Sequence, residues 1–111
     1  MIYKVRARLK TGTAANFLEK LSDGTIENLQ PDGAEMVNSM KRAVVTADGS
    51  VKWSEKCFCI TPLAHERATV LDTYFEGLST EPIDDYRNYK GEPFMGYLKQ
   101  LAGSRPEETN R

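Results

Sequence analysis

Cys57, Cys59 and His65 fall within nine positions of one another, with Glu55 and Glu66 at either side. Thiol, imidazole and carboxylate are the donors that transition metals take. Imidazole is also the side chain that carries protons near neutral pH. The spacing argues against a metal, because paired zinc-binding cysteines are usually separated by two or more residues. Strand alternation puts both cysteines in phase with Trp53, as small buried hydrophobes. A disulfide across one intervening strand residue would span roughly 6.5–7 Å between Cα atoms, at or beyond the usual limit. The sequence therefore assigns no metal ligand and no cofactor. His65, the sole histidine, is the candidate catalytic residue, as a general acid or base. It needs an orienting partner from outside its own helix, for which Tyr3, Arg42 and the Tyr86–Tyr89 segment are candidates.

A second constellation is cationic. Lys4, Arg6, Arg8 and Lys10 alternate with Tyr3, Val5, Ala7 and Leu9, so one face of the first strand is basic. If that strand neighbours the one carrying Lys52 and Lys56, these six cations share a sheet face, with Lys41 one strand further out. Like charges on adjacent strands repel, and a chain of net charge −1 has no general need to gather them. The face is a candidate surface for an acidic protein or an anionic small ligand, with Lys4, Arg6, Arg8, Lys10, Lys52 and Lys56 as the binding residues. Nucleic acid is disfavoured. Of the aromatics only Phe58 falls in the basic phase, and base recognition on a sheet needs stacking platforms. Gly-rich phosphate loops, nucleophile elbows and paired catalytic carboxylates are absent.

These residues must be positioned by a small set of elements. Ile2 to Lys10 reads as a strand with one packed face. Thr11 or Thr13 caps a helix carrying Ala14, Phe17, Leu18 and Leu21, which Gly24 ends. Thr25 to Met40 is helix-rich but interrupted at Gln30-Pro31-Asp32-Gly33. A hairpin follows, strand from Met40, with Asp48-Gly49 as a two-residue type I′ loop. That loop pairs Val45 with Lys52, Val44 with Trp53 and Arg42 with Glu55. It places Val44, Val51, Trp53 and Cys57 on one face, and Lys41, Lys52, Ser54 and Lys56 on the other. Arg42 and Glu55 intrude on the apolar side, which a cross-strand ion pair would explain. Thr61 caps a helix opened by Pro62, with Leu63, Val70, Leu71, Tyr74 and Phe75 on its apolar face and Gly77 as its stop. Leu78 to Ile83 is a short strand that Pro82 confines to a sheet edge. The polar, tyrosine-bearing Asp84 to Tyr89 leads to a short helix through Phe94, Tyr97, Leu98 and Leu101.

The order strand, helix, strand, strand, helix, strand is an α+β, ferredoxin-like split βαβ pattern. It predicts a four-stranded antiparallel sheet with the helices on one face, plus a C-terminal extension. The expected domain is 1–102, followed by a disordered tail at 103–111. At the level of fold only, the pattern resembles the ferredoxin-like group, including dimeric α+β barrels that host small monooxygenase-like enzymes. That resemblance implies a homodimer with stacked sheets and, in the enzyme case, a role for His65. The length of 111 residues and 40% hydrophobic content suit one modest core. The N-terminus alternates with charges and no apolar run approaches a membrane span. Two cysteines with no disulfide framework fit a reducing, cytoplasmic setting. The leading expectation is a non-enzymatic interaction domain that meets its acidic or phosphate-bearing partner through the basic face. The small enzyme using His65 is the alternative.

Overall fold

The computed structural model describes residues 1–103. The chain is α+β, with a five-stranded antiparallel sheet in the order β4-β1-β3-β2-β5. Its strands are β1 (Ile2–Leu9), β2 (Val44–Val45), β3 (Val51–Lys56), β4 (Phe75–Ile83) and β5 (Glu92–Pro93). Helices α1 (Ala14–Ser22) and α2 (Gly33–Arg42) lie between β1 and β2. A continuous helical stretch, 64–74, joins β3 to β4. It comprises α3 (Ala64–Glu66), a π-helical turn (Arg67–Leu71) and α4 (Asp72–Tyr74). Helix α5 (Phe94–Gly103) closes the described chain against α1 and α2. Gly103 thus ends a helix, and the rest of the expected tail, 104–111, lies outside the described residues. Among the described residues no helix is long and apolar enough to cross a membrane.

Alternation in β1 and β3 sorts as the sequence implies. Tyr3, Val5, Ala7, Val51 and Trp53 are buried under the helices, with Val5 directly opposite Trp53. Phe17 stacks on Tyr74 with centroids 4.2 Å apart and meets Phe75 edge-on at 5.6 Å. Phe75 in turn lies 5.1 Å from Trp53. This aromatic chain binds α1, the 64–74 helix and the central strands into one core, at centroid spacings where ring pairs attract. Lys52, between Val51 and Trp53, lies on the opposite face and is half-buried.

The hairpin differs from the type I′ expectation by one residue. Val44 pairs with Lys52 and Val45 with Val51. The loop has three residues, because Thr46 N–H donates to Ser50 O at 2.8 Å and Gly49 N–H to Thr46 O at 2.9 Å. A type I′ turn needs φ > 0 at both central residues. Only Gly49 has it, at 86°. Asp48 instead accepts from the Ser50 amide two residues on, 3.0 Å away. That Asx turn goes with an Asp48 φ that is not positive and leaves Gly49 to form the bulge. The slip moves Val45 to the core face and Val44 to the other. Val44 is buried there by β5, which adds the unexpected fifth strand. A Cβ on Gly91 would lie 2.5 Å from Val45 O and 3.1 Å from Val44 Cβ, so glycine permits that approach.

Other boundaries move for similar reasons. Lys41 and Arg42 belong to α2, so Lys41 is not on the sheet. Arg42 pairs with Glu35, not Glu55. The 64–74 helix starts after Thr61-Pro62, which form a turn, with Ala64 N–H donating to Thr61 O. Gly77 does not stop a helix. It sits inside β4 at φ 61°, where the register with β1 shifts between Arg6 and Arg8, the setting of a glycine bulge. β4, carrying Pro82, is an edge strand.

Candidate functional site

At Lys56 the chain leaves β3 and runs through Cys57-Phe58-Cys59-Ile60 before turning into the 64–74 helix. Cys57 N–H donates to Met1 O at 2.9 Å, which extends the β1–β3 ladder by one bond. Cys57 is buried and Cys59 partly so, while Phe58 between them is 83% exposed. Leu63 then takes a left-handed backbone, φ 58°, with its side chain fully buried. For a bulky residue this geometry costs about 1–2 kcal/mol. Burial of the isobutyl group offsets it. The reversal at Leu63 brings the first turn of the helix back over the two cysteines.

Glu66 is the residue that meets them. Its carboxylate is fully buried, and Oε1 accepts from Cys57 Sγ and Cys59 Sγ, each at 3.6 Å. The Cys59 amide donates to Cys57 Sγ at 3.2 Å. Glu66 Oε2 is buried without a hydrogen-bond partner. Burial raises the Glu66 pKa, and the nearby Asp32 charge adds to the shift. Burial also pushes the Cys57 thiol up to about 12. Both cysteines are free thiols.

His65 stands beside this group, with Nδ1 3.1 Å and 3.0 Å from the two oxygens of Asp32. Asp32 occupies the N-cap position of α2 but makes no side-chain cap bond. Its carboxylate is turned to the imidazole instead. The α2 start is fixed by close packing, since a Cβ at Gly33 would lie 2.1 Å from Ile26 O. Glu35, one turn further, accepts from the Lys56 amide at 2.8 Å and from Tyr86 Oη at 3.0 Å. Together Pro31, Asp32, Glu35, the 56–59 run, His65 and Glu66 line a cleft of about 390 Å³.

The β1–β3 register puts Lys4, Arg6, Arg8, Lys52 and Lys56 on one sheet face, as the alternation implies, but most of these cations are already engaged. Arg6 and Lys52 are direct cross-strand neighbours. Lys4 pairs with Glu81 at 3.4 Å and Arg6 with Asp48. Arg8 and Lys10 donate to the backbone oxygens of Asp48 and Asp72. Lys52 lies 5.7 Å from the Tyr89 ring centroid and Lys56 5.2 Å from that of Phe58. The tyrosine-bearing segment crosses this face. Ser54 Oγ accepts from Arg87 N–H at 3.0 Å and lies 3.3 Å from Tyr89 Oη. The Arg42 guanidinium sits 4.5 Å from the Tyr86 ring centroid.

Asp32 and Glu35 were not among the sequence candidates, and Glu66 entered only as a possible further donor beside the cysteines, although it left a mark. Glu66 lies three residues after Leu63 and four before Val70, inside the apolar stripe of its helix. Glu55 is a second such mark, in phase with Val51 and Trp53 on the buried face of β3. It is fully buried, and burial pushes its pKa up to about 8. Asp32 read only as turn chemistry beside Gly33. Its partner is 33 positions away, and no local pattern connects them. Comparison of the chain with protein families, curated proteins and solved structures gives no match.

Proposed function

We propose that the cleft between α2, the 57–60 run and the start of the 64–74 helix binds a small organic molecule, and that His65 exchanges a proton with it. The observation that supports this reading is the bidentate contact of His65 Nδ1 with Asp32 on the wall of that cleft. A carboxylate on Nδ1 sets the tautomer and ring orientation, leaving Nε2 as the nitrogen that gives or takes the proton. Pro31, Cys57, Phe58 and Cys59 give the cleft apolar wall, and Asp32, Glu35, Lys56, His65 and Glu66 add convergent ionisable groups, a combination that suits a small-molecule site. Asp32, Glu35 and Glu66 outnumber Lys56 there, so the favoured ligand has an apolar body and a cationic or hydrogen-donating group. All the named residues come from one chain. The four strands β4-β1-β3-β2 support reading the scaffold as ferredoxin-like with an added edge strand. A small acid–base enzyme on such a scaffold is the activity this reading favours.

The test uses His65 as its own reporter, since a sole histidine gives one ring signal. Small amphipathic fragments are titrated into the protein and the imidazole proton resonances followed by NMR. Binders should shift the His65 signal in the wild type and fail to do so in Phe58→Asp. If no fragment moves it, or the two proteins respond alike, the reading fails.

A second reading keeps the basic face as an anion surface for an acidic or phosphate-bearing partner. Its support is that Lys52 and Lys56 meet aromatic rings and, among the described residues, no carboxylate within ion-pair distance. Arg6→Glu combined with Lys52→Glu should then abolish partner capture without unfolding. Unchanged capture at physiological salt rejects it.

A further inference from the structure

We propose that Cys57, Cys59 and Glu66 form a binding site for one thiophilic divalent cation, with zinc the best fit. The inference stands apart from the acid–base role of His65 and goes beyond it.

The three ligand atoms lie within 4.8 Å of one another. A tetrahedral zinc with Zn–S of 2.3 Å and Zn–O of 2.0 Å has S···O edges of about 3.5 Å and an S···S edge of about 3.8 Å. Both observed S···O distances are 3.6 Å. The carboxylate and the thiols therefore already stand at nearly the spacing that a shared cation requires. S–H···O bonds explain the contacts of Oε1, but not the state of Oε2, which is buried with no hydrogen-bond partner within 3.5 Å in a carboxyl group that has the Asp32 carboxylate as its charged neighbour. A buried carboxylate oxygen without a partner carries a desolvation cost. A cation bound at Glu66 would offset that cost.

The single intervening residue, which disfavours zinc in a regular strand, does not do so here. β3 has ended at Lys56. In the run that follows, Phe58 turns outward while both sulfurs reach one oxygen. The Cys59 amide donates to Cys57 Sγ at 3.2 Å, a bond of the kind that supports a metal thiolate from the outer shell. On coordination each thiol releases its proton to solvent, and the resulting set of two thiolates and one carboxylate carries three negative charges for a divalent ion. Three protein ligands leave a fourth position, and the cleft gives solvent or a ligand access to it. That is the arrangement of reactive rather than closed zinc sites.

The experiment titrates Zn²⁺ alone, then Co²⁺ alone, into the reduced full chain. One equivalent of zinc should bind in competition with a chelator of known affinity. Cobalt should show the sulfur-to-metal charge-transfer absorption of thiolate ligation. Cys59→Ser and Glu66→Gln should each weaken zinc binding at least about 100-fold, the upper range seen for outer-shell changes alone. Cys59 is only partly buried, so its serine variant guards against a Glu66→Gln chain that misfolds, and far-ultraviolet circular dichroism checks both. His65→Asn should bind zinc as the wild type does. If it does and the His65 ring responds to no fragment, only the acid–base reading fails. Saturable binding without the charge-transfer band, equal affinity in Cys59→Ser, or no stoichiometric binding overturns the proposal.

Discussion

Trp53 Nε1 donates to Glu55 Oε1 across 2.8 Å, two residues along the same face of β3 and inside the core. The other carboxylate oxygen, Oε2, has no partner. Burial is the main cause that lifts the Glu55 pKa from 4.5 to about 8, against the Trp53 bond, with the Glu66 charge adding to the lift. The folded chain therefore holds this proton to higher pH than the unfolded chain does. Between about 4.5 and 8 the folded state binds more protons, so stability falls as pH rises. At about 1.4 kcal/mol per pKa unit, the loss across the window is on the order of 5 kcal/mol. Glu55→Gln keeps the oxygen that Trp53 needs and removes the charge. Urea unfolding of the metal-free protein should show the two chains nearly equal at pH 5 and the glutamine variant clearly more stable at pH 8. A pH-independent difference would mean that Glu55 does not titrate in this window.

Asp48 has the opposite sign. The Thr46 hydroxyl, then the Ser50 amide and hydroxyl, then Arg6 hold its pKa well below the ordinary 3.8. Its contribution is present above 3.8 and is lost as pH falls toward the depressed folded value. Asp48→Asn should melt below the wild type at pH 7, and the gap should narrow progressively as melts are repeated below pH 4. A gap that stays constant would assign the effect to turn geometry rather than to charge.

Leu63 offers a test of the backbone reversal under the cleft. Leu63→Ala removes a fully buried side chain and should cost about 2–5 kcal/mol. Leu63→Gly removes one carbon more, the Cβ, and relieves the left-handed φ of 58°, worth about 1–2 kcal/mol. Glycine is ordinarily worse than alanine because of its backbone entropy. Here denaturant midpoints should place the glycine variant at or above the alanine one. The usual order would show that the αL geometry carries no strain.

Period-two alternation in β1 is set by the contrast between Val5 and Arg6, and it was legible because each face has one chemistry. The buried phase of β3 was legible for the same reason. Glu55 and Glu66 were visible as breaks in apolar patterns, but a break has two explanations, a local ion pair or a buried acid. Only the position of Arg42 decides between them, and it closes α2 with Glu35. The hairpin slip follows from one Asp48 hydrogen bond, since both loop lengths suit an Asp-Gly pair. The meeting of Asp32 with His65, and the path of Arg87 and Tyr89 across Ser54, are long-range contacts with no periodic signature.

That last contact fixes what covers the basic face. Ser54 is buried, and its hydroxyl is the hub for the segment, with Arg87 N–H at 3.0 Å, Arg87 O at 3.1 Å and Tyr89 Oη at 3.3 Å. Ser54→Ala removes all three bonds and leaves a methyl of similar size. Solvent can reach the freed groups, because Arg87 is exposed and Tyr89 only half-buried. The global cost should therefore be modest, about 1 kcal/mol. The local effect should be larger. Hydrogen exchange at the Arg87 amide should accelerate about fivefold or more for each kcal/mol of local docking lost, while the amides of β1 and β3 keep their protection. Release of Tyr89 also removes the ring from Lys52, so the variant should bind a polyanion such as polyphosphate more tightly than the wild type. Faster exchange at Arg87 with unchanged polyanion binding would show that the segment does not gate that face. Unchanged exchange would show that Ser54 does not hold the segment.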